Sequence, residues 1–375
     1  MILKCTSFGE MYTEISERNM SIVIFGAGVI GTVIVPEVLR RYDLLQRVAF
    51  YIDNDSLIRE RKIELEDRII DIKPVDQLRN AGKNTVIIIA ISRYAGILEQ
   101  LEQIPCIQDM SCYIMPMMCI HNFCSDISGG MPVLADRALI PKKIHYMWLG
   151  KKQIPSKLQK CIDSWKRYCP DYEIIQWNED NYDIDKHVYM RDAYVRGAYG
   201  FVPDYARLDI LYQYGGIYLD TDVEVKRNLD PLLCQEAFCG VEKWQVVNLG
   251  GCSGAVKGHP MIGELLMARE DISFLDENGR PTWITCGFYD TKTVIKNGYC
   301  INGMTQNIRG MNIYASDYFH PYDYMSGHMH MTEHTYSIHR FNGGWMDDKM
   351  KLANEETMRE YDRIYEIAIK CGRDI

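Results

Sequence analysis

The chain has 375 residues, of which 47% are hydrophobic and 25% charged, a composition that excludes an intrinsically disordered protein. A net charge of −9 without a basic stripe argues against nucleic acid as the main partner. The 13 cysteines include no Cys-x-x-Cys pair, which favours reduced thiols over a disulfide framework or a zinc knuckle.

The beginning of the chain shows no targeting segment. Residues 1–19 lack an apolar run long enough for a signal peptide and are predicted to be an N-terminal extension. The longest aliphatic run, residues 86–91, is too short to span a bilayer. We therefore expect a cytoplasmic protein, with peripheral association at the inner face of the plasma membrane as an alternative.

Residues 20–115 are predicted to form a small doubly wound domain of alternating strands and helices. Its first strand, residues 21–25, is followed by a Gly-x-Gly-x-x-Gly dinucleotide fingerprint, formed by Gly26, Gly28 and Gly31. A second predicted strand, residues 48–52, ends at Asp53, where an acidic residue can bind a ribose hydroxyl. Nucleotide binding and a purely structural role in a tight turn are equal alternatives for this motif.

Residues 116–139 are rich in Met, Cys, Gly and Pro and are predicted to be a linker. A second domain is predicted over residues 140–345, with early strands at 143–148 and 172–177 separated by a helix. This alternation predicts an α/β architecture with a mainly parallel sheet. Residues 346–375 are predicted to contain a C-terminal helix.

The central stretch, from residue 201 to residue 222, predicts a helix, a Gly-Gly turn and a short buried strand that ends on two aspartates. Asp204 and Arg207 are three positions apart, so a helix places them on one face. Asp220 and Asp222 are two positions apart, so extended backbone would point both carboxylates to one side. Neighbouring carboxylates repel each other unless a cation lies between them, and hard divalent cations prefer oxygen ligands. The pattern therefore indicates a cation that carries a diphosphate.

This stretch, FVPDYARLDILYQYGGIYLDTD, resembles the signature of the DXD-containing sugar-binding glycosyltransferases of family 32. That family includes bacterial capsule and lipopolysaccharide transferases, and the clostridial glucosylating toxins are structural relatives. The resemblance covers about half of the chain, from residue 140 to about residue 345, and implies a GT-A fold there. The first domain, with its run FYIDND, resembles Rossmann-like nucleotide-sugar-binding domains attached to other polysaccharide-synthesis enzymes.

The resemblance also implies roles for individual residues. The implied catalytic residues are Asp204, Arg207, Asp220 and Asp222. The implied donor contacts are Trp148, Asp204, Arg207, Tyr218, Asp220, Asn248 and Trp345. Asp222 and Asp220 are expected to bind Mn²⁺ or Mg²⁺, with His339 as a further candidate ligand. Gly344 stands where many relatives have serine, and this departure puts a side-chain metal ligand from that segment in doubt.

By resemblance, the expected activity is metal-dependent, retaining transfer of a hexose from a nucleotide-sugar, with a UDP-sugar favoured. The expected acceptor is a saccharide or lipid-linked saccharide in bacterial surface polysaccharide biosynthesis. One alternative is an NAD(P)-dependent oxidoreductase or sugar-nucleotide-modifying enzyme that acts through the first domain. Another is a non-catalytic nucleotide-sugar-binding protein.

Two further patterns have simpler explanations. The cluster His328, His330, Glu333 and His334 has zinc-ligating side chains, but nothing in the sequence completes a site. Tyr182 and Lys186 have the spacing of a short-chain dehydrogenase pair, yet they lie far from the glycine fingerprint, so chance explains them better.

Overall fold

The computed structural model describes residues 1–123, 132–344 and 346–370. In these ranges the chain forms two large sheets and one two-stranded sheet. No helix in the described ranges has the length and hydropathy needed to cross a membrane.

The first sheet has seven strands in the order β1-β7-β6-β2-β3-β5-β4. Their bounds are β1 Ile2–Lys4, β2 Ser21–Phe25, β3 Val48–Ile52, β4 Lys62–Leu65, β5 Arg68–Lys73, β6 Thr85–Ile89 and β7 Ser111–Ile114. All neighbouring strands are parallel except the β4–β5 pair. The central strands β2 and β6 are aliphatic and almost wholly buried, as expected for a parallel sheet covered on both faces. The predicted doubly wound first sheet is confirmed.

Residues 1–19 are not an extension, and this prediction is corrected. Strand β1 pairs with β7 at the sheet edge, and the helix α1 (Phe8–Glu17) buries Phe8, Met11 and Ile15. Ser7 caps α1 reciprocally with Glu10, which satisfies backbone donors at the helix start. The sequence prediction failed because a three-residue edge strand carries almost no periodic signal.

The other helices of the first sheet connect its strands: α2 Val35–Arg41, α3 Ser56–Arg59, α4 Ala95–Glu102 and α5 Met115–Phe123. A π-helical turn, Ile30–Ile34, leads from the glycine motif into α2. The predicted linker is partly wrong, because α5 occupies its first part and buries Met115, Met117 and Met118 in the core. The rest of that linker prediction includes residues 124–131, which lie outside the described ranges.

The second sheet follows the order β15-β16-β12-β14-β10-β8-β9, with β13 paired to β12. Its strands are β8 Lys143–Met147, β9 Glu173–Trp177, β10 Gly216–Tyr218, β12 Ala237–Val241, β13 Val247–Asn248, β14 Ser253–Ala255, β15 Gln306–Ile308 and β16 Met311–Tyr314. Strands β9, β8, β10, β12 and β16 run in one direction, and β13, β14 and β15 run in the other. The predicted α/β class with a mainly parallel sheet is therefore confirmed.

The remaining elements complete this second unit. Its helices are α6 Ser156–Tyr168, α7 Val188–Val195, α8 Pro203–Tyr214, α9 Pro260–Met267 and α10 Cys286–Lys296. The two-stranded sheet joins β11 (Val223–Val225) to β17 (Ser337–His339) in antiparallel register. Short 3₁₀ helices lie at Leu45–Arg47, Val75–Asn80, Pro105–Ile107, Ile184–Lys186 and Asp230–Leu233.

The C-terminal helix α11 (Asp348–Lys370) packs on the first unit rather than the second sheet. The Cys5 backbone N–H donates to the Ala368 carbonyl at 3.2 Å, and the Ala95 backbone N–H donates to Thr357 Oγ1 at 3.3 Å. Tyr361 and Ala368 are buried, so this predicted helix contributes to the core. The chain therefore returns to its beginning after building the second sheet.

Candidate active site

Asp220 and Asp222 lie in a tight turn directly after β10. The Val223 backbone N–H donates to the Asp220 carbonyl at 3.0 Å, so the backbone turns where extended structure was predicted. Strand β11 starts at Val223 and pairs with β17, which sets Val223 opposite His339. The candidate ligand atoms of Asp220, Asp222 and His339 consequently all lie within 4.8 Å of one another.

Asp222 is held from two directions by the segment that contains β17. His339 Nε2 lies 3.3 Å from Asp222 Oδ1, and the Asn342 backbone N–H donates to Oδ2 at 2.8 Å. Burial disfavours the charged carboxylate, but the His339 charge and these hydrogen bonds lower the pKa of Asp222 to about 2. Burial likewise disfavours a charged His339, yet Asp222 raises the pKa of that imidazole above its ordinary value.

These three side chains fit a divalent cation. Two carboxylates and one imidazole form a donor set that Mn²⁺ accepts, and the carboxylates also suit Mg²⁺. Asp220 remains 25% exposed and Asp222 16% exposed, so the cluster is open to a ligand. The predicted donor contact of Trp345 has no structural description, because Trp345 lies outside the described residues.

Asp204, Arg207 and Asp220 form a buried ionic group. Arg207 Nη2 lies 3.1 and 3.2 Å from the two carboxylate oxygens of Asp220, and 3.6 Å from Asp204 Oδ1. Arg207 is 3% exposed and Asp204 6% exposed, which rules out an ordinary surface ion pair. Burial raises the pKa of Asp204 to about 6, although Arg207 opposes the rise. The structure therefore brings Arg207 of helix α8 into contact with Asp220 of the turn after β10.

Two neighbours fix the Arg207 guanidinium. The Tyr218 ring lies 5.5 Å from Arg207 Cζ and is buried beneath it, which suits a cation–π contact. Arg207 Nη1 donates to Cys286 Sγ at 3.4 Å, at the first residue of α10. Tyr218, predicted to contact the donor, is thus placed to support Arg207.

The Asn248 side chain forms hydrogen bonds with the backbone of a glycine pair that contacts Asp220. Its Oδ1 accepts the backbone N–H groups of Gly250 at 2.8 Å and Gly251 at 3.2 Å, and its Nδ2 donates to Glu242 Oε1 at 2.8 Å. The Gly250 carbonyl in turn accepts the Asp220 backbone N–H at 2.9 Å. The structure places the Asn248 side chain on these protein groups, while its predicted donor contact stays a prediction.

Trp148 follows β8 at the same sheet edge as the aspartate turn. Strands β8 and β10 are parallel, with His145 opposite Tyr218, so Trp148 and Asp220 both lie beyond the carboxyl ends of adjacent strands. The Trp148 indole Nε1–H donates to the Lys152 carbonyl at 2.6 Å, which fixes the half-buried ring. Its position agrees with a ligand site at this edge, and stacking on a donor base stays a prediction.

The glycine motif of the first unit has mostly structural explanations. Gly26 has φ +112°, and a Cβ on Gly31 would lie 1.9 Å from the Gly26 carbonyl oxygen. The Asp53 carboxylate accepts the backbone N–H groups of Ala27 and Asp55, each at 2.9 Å. A Cβ on Gly28 would meet nothing within 4 Å, so this position alone leaves open space. Nucleotide binding at the motif stays a prediction.

The Tyr182/Lys186 spacing and the histidine-rich cluster make ordinary contacts. Tyr182 Oη donates to Asp209 Oδ2 at 2.8 Å and Lys186 Nζ to Asp209 Oδ1 at 2.5 Å, so Tyr182 hydrogen-bonds and Lys186 neutralises one buried carboxylate. His328 pairs with Asp362 at 3.3 Å. In the part of the chain that the structure describes, the histidine-rich segment supplies no member of a three-ligand metal group.

Several residues around the site carried no recognisable sequence signal. Glu242 is one of them: burial raises the pKa of its carboxyl to about 7, although the Asn248 hydrogen bond opposes the rise. Arg269 and Asp290 form a buried ion pair at 2.6 Å, and Arg269 Nη2 also donates to the Cys286 carbonyl at 3.4 Å. These residues come from separate elements, so no local motif brings them together.

Residues 155–239 match the family described as the glycosyltransferase sugar-binding region containing the DXD motif. The matched segment is 85 of the 375 residues long. It contains Asp204, Arg207, Tyr218 and both aspartates of the turn, while Trp148, Asn248 and His339 lie outside it.

Curated relatives have similar sequences over part of the chain. Inositol phosphoceramide mannosyltransferase 3 of Schizosaccharomyces pombe is 35% identical over 133 residues, which cover 33% of this chain and 36% of the relative. Mannosyl phosphorylinositol ceramide synthase SUR1 of Saccharomyces cerevisiae is 37% identical over 108 residues, 27% of each chain. The chain therefore spans about a third or less of the length of these relatives.

Solved structures with a partial likeness are also glycosyltransferases. The PaToxG glycosyltransferase has a TM-score of 0.34 and 19% identity, over 43% of this chain and 71% of that one. The galactosyltransferase LgtC, in complex with donor and acceptor sugar analogs, has a TM-score of 0.31 and 13% identity, over 60% of this chain and 95% of that one. The strand order of the present structure, rather than these scores, defines its architecture.

Proposed function

We propose that this protein is a metal-dependent, retaining glycosyltransferase that moves a hexose from a nucleotide-sugar to a saccharide acceptor. The observation that carries the proposal is the contact between two groups of side chains. Asp220 belongs both to the candidate cation cluster with Asp222 and His339 and to the buried ionic group with Arg207. Cation and guanidinium would thus lie on either side of one carboxylate, where a diphosphate needs positive charge.

Different side chains would bind different parts of the donor. Asp220, Asp222 and His339 would hold Mn²⁺ or Mg²⁺, which when bound stabilises the negative charge of the departing phosphate. Arg207 is preoriented by Tyr218 and Asp220, so its fork can bind phosphate oxygens with little loss of side-chain entropy. Asp204, whose Oδ1 lies 3.6 Å from Arg207 Nη2, would contact hydroxyls of the donor sugar.

Retention of configuration is proposed to occur by front-face attack. The bond between sugar C1 and the leaving phosphate oxygen breaks, and the acceptor oxygen bonds to C1 on the same face. The acceptor proton passes to the departing phosphate oxygen. This route is supported by the occupation of the motif carboxylates: Asp204 and Asp220 contact Arg207, and Asp222 contacts His339.

A UDP-hexose is the proposed donor, and GDP-mannose is the second candidate because the Schizosaccharomyces pombe relative is named as a mannosyltransferase. The proposed acceptor is a saccharide or lipid-linked saccharide of a bacterial surface polysaccharide. The proposed location is the cytoplasm, with peripheral association at the inner face of the plasma membrane.

Thermal stabilisation by ligands tests this proposal. UDP-hexoses, GDP-mannose and NAD(H) are compared with and without Mn²⁺, on the wild type and on Asp222→Ala. A ligand that binds the native state raises Tm according to its concentration and affinity. We expect one nucleotide-sugar to stabilise the wild type only with Mn²⁺ and to lose this effect in Asp222→Ala. Asp76→Ala removes an 81% exposed carboxylate from the first unit and serves as the matched control.

The other outcomes would overturn the proposal in different ways. Stabilisation by NAD(H) alone would move the activity to the glycine motif of the first unit. Nucleotide release from the donor is followed by chromatography. Donor binding without any metal-dependent release of nucleotide and sugar would indicate a non-catalytic binding protein.

A further inference from the structure

A short hairpin, residues 274–282, precedes α10 and is firmly held. Leu275 and Pro281 form an antiparallel bridge, and the Thr282 backbone N–H donates to the Phe274 carbonyl at 2.9 Å. Asp276 closes the turn by accepting the Asn278 and Arg280 backbone N–H groups. These bonds fix the backbone immediately before Trp283.

The hairpin is also tied to neighbouring elements. Arg196, just after α7, donates through Nη2 to the Gly279 carbonyl at 2.8 Å. Arg280 lies 3.8 Å from Glu60 of the first unit, and its Nε donates to Asp276 at 2.7 Å. The hairpin is therefore anchored at its tip and along its side, so Trp283 follows a rigid element.

Trp283 combines an unfavourable backbone with an exposed aromatic side chain. Its φ is +51°, a left-handed conformation that is a genuine outlier for a bulky residue. The side chain is 47% exposed and makes inclined contacts with Phe201 and Phe274, at centroid distances of 5.5 and 5.6 Å. Burial of the indole therefore does not account for the strain, and such outliers concentrate where a ligand is bound.

Two contacts connect the neighbours of Trp283 to the candidate active site. Phe201, its aromatic neighbour, accepts the Asp204 backbone N–H through its carbonyl at 3.1 Å. Cys286, three residues after Trp283, contacts Arg207 at 3.4 Å. Three residues of chain span at most about 11 Å, so the Cα of Trp283 lies within about 11 Å of the Cα of Cys286, whose side chain contacts Arg207.

We propose that Trp283 forms the acceptor subsite and stacks on the ring of an incoming pyranose or cyclitol. This inference rests on the proposed transferase function and adds the chemical class of the acceptor group: a ring with an apolar C–H face. An aromatic face binds such a surface without fixing its hydroxyl pattern. The rigid hairpin sets the distance of this surface from the donor sugar, which orients the attacking hydroxyl.

Steady-state kinetics separate acceptor binding from donor chemistry. Donor hydrolysis by water is measured with Mn²⁺ and the nucleotide-sugar identified above, and then with methyl α-glucoside, methyl α-galactoside, methyl α-mannoside and myo-inositol as acceptors. We expect Trp283→Ala to raise the acceptor KM by about tenfold, the size of one stacking contact, while donor hydrolysis changes less than about twofold. Trp283→Phe should recover most of the acceptor affinity, and Tyr12→Ala, which removes a 40% exposed ring of the first unit, should have no effect.

Fluorine NMR gives a direct readout that does not require turnover. In protein labelled with 5-fluorotryptophan, the resonance absent from Trp283→Phe belongs to Trp283. With Mn²⁺ and the nucleoside diphosphate bound, at least one of the four acceptor probes should shift this resonance in a saturable manner.

Each alternative result is decisive. Intact donor hydrolysis with an unchanged acceptor KM in Trp283→Ala, or an unshifted Trp283 resonance, would overturn the acceptor subsite and leave the transferase function standing. Absence of donor turnover in the wild type and in every variant would overturn both the acceptor subsite and the transferase function. If Trp283→Ala does not fold, Trp283→Asn replaces it, because asparagine tolerates positive φ, and its Tm shows whether the hairpin is intact.

Discussion

Gly250 allows the Asp220 carboxylate to occupy its position, and Gly250→Ala tests this directly. A Cβ at residue 250 would lie 2.0 Å from Asp220 Oδ2 and 2.8 Å from its Cγ. Gly250 does not have a positive φ, so alanine introduces a steric conflict without backbone strain. The carboxylate can escape only by leaving the position in which it meets Arg207.

The size of the effect follows from that displacement. Restoring an ordinary contact of about 3.4 Å moves Oδ2 by about 1.4 Å, which breaks the 3.1 and 3.2 Å contacts with Arg207. A hydrogen bond to a charged group contributes about 1.5–3 kcal/mol, which corresponds to about 10- to 150-fold in rate. A misplacement of about 1 Å costs up to about 10²-fold. We therefore expect kcat/KM for metal-dependent donor turnover to fall by about 10²-fold.

The assay is nucleotide release from the donor in the presence of Mn²⁺, with thermal unfolding measured on the same samples. Gly82→Ala is the matched control, because a Cβ there would meet nothing within 4 Å. In an Asp220→Ala background, Gly250→Ala should have no further effect, since the group that it displaces is gone. Wild-type turnover by Gly250→Ala, or an additive loss in the double variant, would refute the reasoning.

Three further changes probe the charged groups. Arg207→Lys keeps the positive charge but loses the paired contact of Nη2 with both Asp220 oxygens and that of Nη1 with Cys286, so kcat/KM should fall by about 10- to 100-fold. Wild-type activity would contradict this role. Arg269→Met leaves Asp290 charged and buried without a partner, so urea unfolding should show a loss of about 3–5 kcal/mol, most of which Arg269→Met/Asp290→Leu should restore. Burial alone would raise the pKa of Glu14, but its hydrogen bonds, including that from Lys4 at 2.7 Å, lower it below the ordinary 4.5. Ionised Glu14 therefore stabilises the fold above that pH and loses this effect as the pH falls, so Glu14→Gln should flatten the acid side of the Tm–pH curve; an unchanged slope would contradict the pKa direction.

Local sequence determined the elements that carry the site. Strands 21–25 and 48–52 were predicted with the bounds that the structure has, because parallel-sheet strands are short continuous apolar runs. Helix α8 starts at Pro203 and ends before Gly215, which has φ +64°, as proline and paired glycines predict. The spacing of Asp204 and Arg207 on this helix was likewise sufficient to place both on one face, and the DXD segment was sufficient to indicate the family.

The tertiary structure decided which groups meet. His339 reaches Asp222 only because β11 pairs with β17 in a register that sets Val223 opposite His339, and no local pattern encodes a register between strands so distant in the chain. The close approach of Gly250 to Asp220, and the joining of residues 1–19 to the first sheet, depend in the same way on contacts between remote segments. Sequence alone therefore specified the helix and strands that carry the site through short-range backbone preferences, and the DXD segment indicated its chemically capable residues. Their arrangement into one site required packing and hydrogen bonds between segments that are distant in the chain.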